Sequence, residues 1–159
     1  MRNNLNIISS LHKKTKRNYL SRMNDNKVDS GYRPVPSDNP FISLVGPLYS
    51  RLEGSKVRFK FQAEQKHTNK NGVIHGGMLA TFMDYLLSHT VDSIIGNVNK
   101  ATVNLACDFC GPAYPQQKID GWGNVTKVGR NIVFADGKIY ADEQIVVIGS
   151  ANFKLFKID

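Results

Sequence analysis

The sequence lacks the long apolar runs and the cysteines that mark membrane-spanning and disulfide-rich proteins. In its 159 residues, no apolar segment approaches the ~18 residues that a membrane-spanning helix needs. Only two cysteines are present, which are too few for a disulfide framework. Hydrophobic residues make up 41% and charged residues 21% of the chain. This balance is typical of a soluble globular protein with one core.

The two cysteines, Cys107 and Cys110, have the Cys-x-x-Cys spacing of redox and metal motifs. We favour ordinary strand residues, because side chains three apart in a strand point to opposite faces. The chain has no second cysteine pair for zinc, and neither His67 nor His89 shows ligand spacing with a third residue. We therefore expect no metal site.

Acidic residues are scarce at the start of the chain. Residues 1–27 carry seven basic side chains against Asp25 alone, so they account for +6 of the formal net charge of +8. The rest is nearly balanced, and we expect no nucleic-acid partner. Residues 1–30 are predicted to form a basic N-terminal arm, either an organelle transit peptide or a mobile arm with a short helix. We favour the second interpretation, and with it a cytoplasmic protein.

Residues 31–159 are predicted to form a single α+β domain. Proline and glycine make residues 31–47 an irregular lead-in. From Met78 the apolar residues recur in pairs four apart, which predicts one long helix with a broad apolar face. Strands are predicted at 49–53, 56–63, 102–109, 118–128, 132–142 and 146–156, with a bulge at Gly137. The short turns favour an antiparallel meander of the last four strands.

The residues best suited to chemistry lie around the start of the long helix. Asn69, His75, Gly76 and Gly77 precede or open the helix, and Asp84 lies two turns further along. The first N–H groups of a helix have no partner inside it, so they attract an oxyanion or a polarised carbonyl oxygen. Asp84 falls beside the apolar face, where an unpaired carboxylate is costly, and this favours a functional role.

These motifs closely resemble those of hotdog-fold acyl-CoA thioesterases, the PaaI-like and human thioesterase-superfamily enzymes of the 4-hydroxybenzoyl-CoA thioesterase superfamily. The resemblance lies in HTNKNGVIHGG at 67–77, with Asp84 nine residues after His75, and in TVNLACDFCGPA at 102–113. It extends from residue 31 to the end. It implies a central helix wrapped by a curved antiparallel sheet of about six strands. Relatives that act on aryl-CoA place Glu where Asp84 stands, which favours the PaaI-like branch.

The resemblance implies hydrolysis of an acyl-CoA thioester to the free acid and coenzyme A, without a bound cofactor. This reaction needs a polarised carbonyl and an activated water or a direct nucleophile. Gly76 would donate its N–H to the thioester oxygen, and the Asn69 side chain would be a second donor. Asp84 would be the general base or the nucleophile. Thr102 would orient the attacking water.

Several of these residues also have purely structural interpretations, which stay open. His75 either takes part in catalysis or holds the turn before the helix, and Asn69 either acts as a donor or caps the Asn71-Gly72 turn. Thr102 is also an ordinary strand residue. The residues expected to bind coenzyme A are Gly77, Arg130 and Asn131, of which the last two rest on the resemblance alone.

The distance along the helix predicts a quaternary structure. Asp84 lies eight residues beyond Gly76, which is ~12 Å at 1.5 Å per residue. A water activated by Asp84 cannot readily reach a carbonyl held at the start of the same helix. Two antiparallel helices related by a twofold axis would bring the Asp84 of one chain to the Gly76 of the other. We therefore expect a homodimer with composite sites, and the resemblance implies a dimer of dimers.

Two other functions remain alternatives. The first is a non-catalytic hotdog protein that binds acyl-CoA, against which the set of Asn69, His75 and Asp84 argues, because a binder needs no base. The second is a hotdog hydratase or dehydratase acting on acyl thioesters, which would use a different arrangement of His with Glu or Asp. The identity of the acyl group is open, as is the choice between coenzyme A and acyl-carrier-protein thioesters.

Overall fold

The computed structural model describes residues 31–35, 39–54 and 56–156. These residues form two helices and seven strands, with a short 3-10 turn at Gln65–His67. In chain order the elements are β1 (Arg33–Pro34), α1 (Pro40–Val45), β2 (Leu48–Glu53), β3 (Lys56–Gln62), α2 (Gly76–Ile95), β4 (Lys100–Phe109), β5 (Lys118–Val128), β6 (Ile132–Ala141) and β7 (Gln144–Leu155). The basic arm at 1–30 lies outside the described residues, so the division into arm and domain stays a prediction.

All seven strands belong to one antiparallel sheet in the order β1-β2-β3-β5-β6-β7-β4. The expected meander of the last four strands is therefore wrong. Strands β5, β6 and β7 do form a meander, but β4 pairs with β7 and β5 pairs with β3. Helix α2 carries the chain to the far edge of the sheet before β4 begins. Short turns favour sequential pairing, but they cannot reveal this crossing.

Helix α2 packs against β3, β4, β5, β6 and β7 and forms the core with them. Its predicted apolar face is buried, and Phe82, Met83, Leu86, Leu87 and Val91 are all fully inaccessible. Burial of this kind stabilises by roughly 1.5 to 3 kcal/mol per large apolar side chain. One long helix against an antiparallel sheet is the architecture that the sequence predicts.

Glycines in the sheet allow the helix to approach closely. A Cβ atom on Gly137 would lie 2.9 Å from the backbone oxygen of Trp122 and 3.0 Å from Leu87 Cδ2. The bulge expected at Gly137 is wrong, because Gly137 pairs in regular register with Gly123 and Gly149. The β6–β7 ladder shifts two residues later, after Ile139. The absence of a side chain at 137 serves helix packing rather than strand bending.

The lead-in at 31–47 is less irregular than expected, because it contains the short helix α1. Pro40 occupies the first turn, where the missing N–H costs nothing. The Asn39 side chain caps this turn by accepting from Phe41 N at 3.0 Å and from Ile42 N at 3.4 Å. The prolines that suggest irregular chain are thus compatible with a capped helix.

The end of α1 is tied to the chain that precedes α2. His67 Nδ1 accepts from Glu64 N at 2.9 Å, which leaves Nε2–H to donate to the Val45 carbonyl at 2.8 Å. Lys66 Nζ donates to the Gly46 carbonyl, also at 2.8 Å. Burial lowers the pKa of His67, in keeping with a neutral ring.

Within the described residues, neither helix is both long enough and apolar enough to cross a membrane. The cytoplasmic location and the absence of a nucleic-acid partner stay predictions.

Candidate active site

The start of α2 is capped by His75, and the cap leaves one backbone donor available. His75 Nδ1 accepts a hydrogen bond from Gly77 N at 2.8 Å, so Gly77 N–H is occupied. Gly76 N–H makes no hydrogen bond to any described residue. His75 therefore holds the start of the helix, as its structural interpretation expects. The cap also leaves Gly76 N–H for a ligand.

Asn69 builds the turn before the helix with one end of its side chain. Its Oδ1 accepts from Asn71 N at 2.8 Å and from Val73 N at 3.4 Å. Its Nδ2 makes no hydrogen bond to a described residue. The turn also uses a left-handed conformation at Gly72, where φ is 75°. Asn69 thus caps the turn, as its structural interpretation holds, and keeps a free donor.

Asp84 and Thr102 come from different elements and meet on the outward side of α2. Thr102 Oγ1 donates to Asp84 Oδ1 at 2.8 Å. Asp84 is half-buried, whereas Thr102 is exposed on β4. Strand β4 presents Thr102 towards the helix because Thr102 pairs with Phe153, a core residue on the inner face of β7. The hydroxyl thus holds one carboxylate oxygen and leaves the other for a water or a carbonyl carbon.

The two groups of residues lie apart within one chain. Asp84 and Thr102 line a cavity of about 640 Å³ on the outward side of α2, whereas His75 lines a neighbouring cavity of about 380 Å³. The structure confirms that Gly76 and Asp84 belong to one continuous helix, which sets their separation at ~12 Å. We call Asp84 with Thr102, and Gly76 with His75, the two candidate half-sites of the chain.

Arg130 and Asn131 are not brought to either half-site within the chain. Both are exposed in the β5–β6 turn and line neither cavity. The backbone oxygen of Asn131 accepts from Leu155 N at 2.8 Å, a contact that secures the turn. Their assignment to coenzyme A binding stays a prediction.

Several groove residues were missed by sequence reasoning. The sequence gives Ser88 and His89 no role in a groove, yet both line the larger cavity beside Asp84, together with Tyr85. The available signal is a spacing of four residues, from Asp84 to Ser88 and from Tyr85 to His89, since residues four apart are neighbours on a helix surface. Phe41 lines both cavities, but it lies in the segment read as irregular.

The far end of the groove is polar but largely uncharged. Burial and Lys100 lower the pKa of His89 to about 3, and burial raises the pKa of Tyr85. Behind them Lys100 donates to Asp92, and both side chains are less than a tenth exposed. Burial raises the pKa of Asp92 while Lys100 opposes the rise. The His89 imidazole and the Tyr85 phenol, which line the groove, are therefore both uncharged.

The two cysteines take no part in a metal site in the described residues. Cys107 is half-buried in β4, whereas Cys110 is exposed just beyond the end of that strand. Across residues 31–35, 39–54 and 56–156, no three His, Cys, Asp or Glu side chains are grouped to hold a metal ion.

Comparison with protein families identifies the class. The model of the thioesterase superfamily matches residues 71–148, the stretch that includes the helix start, Asp84 and Thr102. Together with the fold, this match confirms the resemblance. The chain has the hotdog fold, and its residues 71–148 are similar to the thioesterase superfamily.

Individual relatives agree with this class. A Pseudomonas aeruginosa protein provisionally named an esterase is 29% identical over 130 residues, which are 80% of this chain and 97% of that protein. Mouse acyl-coenzyme A thioesterase 13 is 26% identical over 80 residues. That match covers 50% of this chain and only 57% of the mouse protein.

Solved structures show the same fold at low identity. A Bacillus halodurans protein solved with coenzyme A has a TM-score of 0.68 and 15% identity, over 94% of each chain. A mutant of the phenylacetic acid degradation protein PaaI of Thermus thermophilus has a TM-score of 0.65 and 13% identity, over 74% of this chain and all of that one. These likenesses confirm the hotdog fold.

Proposed function

We propose that this chain is an acyl-CoA thioesterase, which hydrolyses an acyl-CoA thioester to the free acid and coenzyme A. The observation that carries the proposal is the Asp84 carboxylate, held by Thr102 at 2.8 Å on the wall of a groove. A carboxylate in this position can accept a proton from water or attack a carbonyl carbon itself. The activity named for the mouse relative and the coenzyme A bound to the Bacillus protein support the substrate class.

The proposed reaction uses the two half-sites together. Gly76 N–H donates to the thioester oxygen, where negative charge develops, and Asn69 Nδ2 is the second donor. Water adds to the carbonyl carbon as its proton passes to Asp84. The carbon–sulfur bond then breaks, and the departing thiolate takes a proton to give free coenzyme A. If Asp84 is instead the nucleophile, an acyl anhydride forms first and water hydrolyses it.

The proposed active unit is a homodimer in which Asp84 of one chain faces Gly76 of the other. The ~12 Å between these residues on one helix is the main support. Strand β4 gives a second, because it lies at the edge of the sheet and pairs on one side only with β7. An exposed edge strand offers unpaired backbone groups to a second chain. Assembly into a dimer of dimers stays a prediction.

The identity of the reaction is tested with Asp84→Asn and Asp84→Ala on a panel of acyl-CoA esters, with released thiol as the readout. We expect the kcat of each variant to fall by about a hundredfold or more, because a general base usually contributes at least that much to the rate. Unchanged turnover in both variants would refute the role of Asp84. Binding without thiol release by the wild-type protein would instead support an acyl-CoA-binding protein.

The composite site is tested by mixing two damaged chains. Asp84→Asn and Gly76→Ala are each purified alone as parent proteins. The two variants are also co-expressed with different affinity tags, so that the mixed dimer can be isolated. The mixed dimer contains one site with intact Asp84 and Gly76 and one site that lacks both. We expect it to regain about half of the wild-type activity per dimer, because catalytic groups act as a unit. Activity no higher than that of the two parents would contradict the composite arrangement.

A further inference from the structure

The groove on the outward side of α2 is divided into two lobes. We call the larger cavity, with Asp84, Thr102, Ala80 and Ser88 in its lining, the Asp84 lobe. The smaller one, whose lining includes His75, is the His75 lobe. Each lobe belongs to a different half-site, so what separates them also separates two active sites in the proposed dimer.

Phe41 of α1 stands where the two lobes meet. Both cavities share three lining residues, of which Gly77 and Thr81 belong to α2 and Phe41 lies opposite them on α1. Removing the phenyl ring would therefore open one lobe to the other. The position of α1 is held by His67 and Lys66, which bond the carbonyls at its end.

Phe41 contributes little to the core, so its large side chain can serve another function. It is 53% exposed, whereas the next residue, Ile42, is 8% exposed and packs in the core. Ile42 therefore anchors α1 and Phe41 faces the groove. Leu44, on the same short helix, is 71% exposed and lines neither lobe.

The two directions along the Asp84 lobe differ in polarity. One turn after Asp84 come Ser88 and His89, whose hydroxyl and neutral imidazole suit the amides of a pantetheine arm. One turn before Asp84 come Ala80 and Thr81, whose hydroxyl already donates to the Gly77 carbonyl at 2.9 Å. The lobe then ends at Phe41 and Ile42, beside Asn39, whose Oδ1 caps α1. An apolar acyl chain is therefore better matched to the direction of Phe41, because apolar surface is stabilised by apolar neighbours and polar groups need partners.

We propose that Phe41 is a specificity-determining residue that ends the acyl-binding space and limits the enzyme to short acyl groups. This inference rests on the proposed thioesterase function. A phenyl ring in this place stops a longer chain from entering the His75 lobe, where the neighbouring site holds its thioester oxygen. The ring therefore keeps the two active sites of the dimer separate.

The experiment compares Phe41→Ala and Phe41→Leu with Leu44→Ala on straight-chain acyl-CoA esters from acetyl to dodecanoyl. We expect Phe41→Ala to raise kcat/KM for decanoyl relative to butanoyl by about tenfold or more, and Phe41→Leu to raise it less. Leu44→Ala should keep the wild-type profile. An unchanged profile in Phe41→Ala, or the same shift in Leu44→Ala, would overturn the proposal.

A binding measurement separates this proposal from the proposed function. S-alkyl-CoA thioethers of the same lengths cannot be hydrolysed, and their affinities are measured by titration calorimetry for the same variants. If the wild-type protein hydrolyses no acyl-CoA, the thioesterase proposal fails. The role of Phe41 is then decided by whether Phe41→Ala tightens the binding of long thioethers relative to short ones, and an unchanged ratio would refute it.

Discussion

The two faces of the long helix are built from different residues and serve different purposes. The face towards the sheet carries large side chains such as Leu86 and Leu87, which approach the backbone of sheet glycines. The outward face carries smaller and polar residues, among them Ala80, Asp84 and Ser88, and leaves a groove. On the buried side, the glycines belong to the sheet and lie opposite the helix, where they leave room for its large side chains. At the outward start of the helix, Gly76 lies in the helix itself, and in the proposed function it makes room for the thioester.

Among the variants that compare the two faces, Gly76→Ala is expected to have the largest effect, and it should act on activity alone. A Cβ atom at Gly76 would meet nothing closer than the Phe109 ring at 3.5 Å, an ordinary contact, so the fold should accept it. The same atom would stand where the thioester must approach. A displacement of about 1 Å can cost about a hundredfold, so we expect a loss of that size in kcat/KM with little change in Tm.

Gly111→Ala is the matched control for this variant, because its added Cβ would also make only ordinary contacts, the nearest at 3.8 Å. Gly111 lines neither lobe of the groove. The prediction for Gly76→Ala would be contradicted if Gly111→Ala lost as much activity, or if Gly76→Ala failed to fold.

Gly137→Ala should have the opposite signature, a loss of stability. The added Cβ would lie 2.9 Å from a backbone oxygen and 3.0 Å from Leu87 Cδ2, so either the strand or the helix must shift. Overpacking of this kind costs about 1 to 3 kcal/mol of unfolding free energy, measurable by urea denaturation. The same Gly111→Ala control applies. A stability equal to wild type would show that the helix does not approach the sheet as closely as described.

Thr102→Val should weaken catalysis more modestly. Valine keeps the shape of threonine but removes the hydroxyl that donates to Asp84 at 2.8 Å. Loss of a hydrogen bond to a charged group is worth about 1.5 kcal/mol or more, which corresponds to roughly a tenfold fall in kcat. Thr102→Ser should restore most of the activity. A kcat unchanged in Thr102→Val would show that the hydroxyl does not position the carboxylate.

The smallest effect is a pH dependence of stability from His67. Burial lowers its pKa in the folded protein below the value of about 6.5 expected for the unfolded chain, while neighbouring Lys66 lowers it and Glu64 raises it. The unfolded chain therefore binds the proton first, and stability present above pH ~6.5 is lost as the pH falls towards the folded pKa. His89, whose pKa is also lowered, adds a dependence of the same sign.

The measurement is the unfolding free energy of the wild type and of His67→Gln between neutral and mildly acidic pH. His67→Gln should be less stable at neutral pH and should show a shallower loss on acidification, by up to ~1.4 kcal/mol per pH unit. Parallel curves for the two proteins would rule out a contribution of neutral His67 to the pH dependence of stability.

Much of the fold could be predicted because its signals are local. The helix at Gly76–Ile95, the hairpin of β2 and β3, and the bounds of β5 follow from apolar periodicity and turn residues. The order of the strands could not be predicted in this way. Pairing of β4 with β7 is a contact between residues far apart in the chain, and no local pattern encodes it.

The residues of the candidate site can be separated in the same way, into those that local sequence signals reveal and those that they do not. Asn69, His75, Gly76 and Asp84 stand out because a helix start and a carboxylate near an apolar face are visible in the sequence. Phe41 could not be found, because its importance comes from where α1 rests and not from its neighbours in the chain.

The sequence by itself determined the long amphipathic helix, the motif at its start and the ~12 Å that separates Gly76 from Asp84, because helical rise and periodicity depend only on residue spacing. Tertiary structure alone decided that Thr102 meets Asp84, that β4 lies at the sheet edge and that Phe41 lines both cavities. These features depend on packing between distant elements, and such packing is selected by the whole core rather than by any one segment.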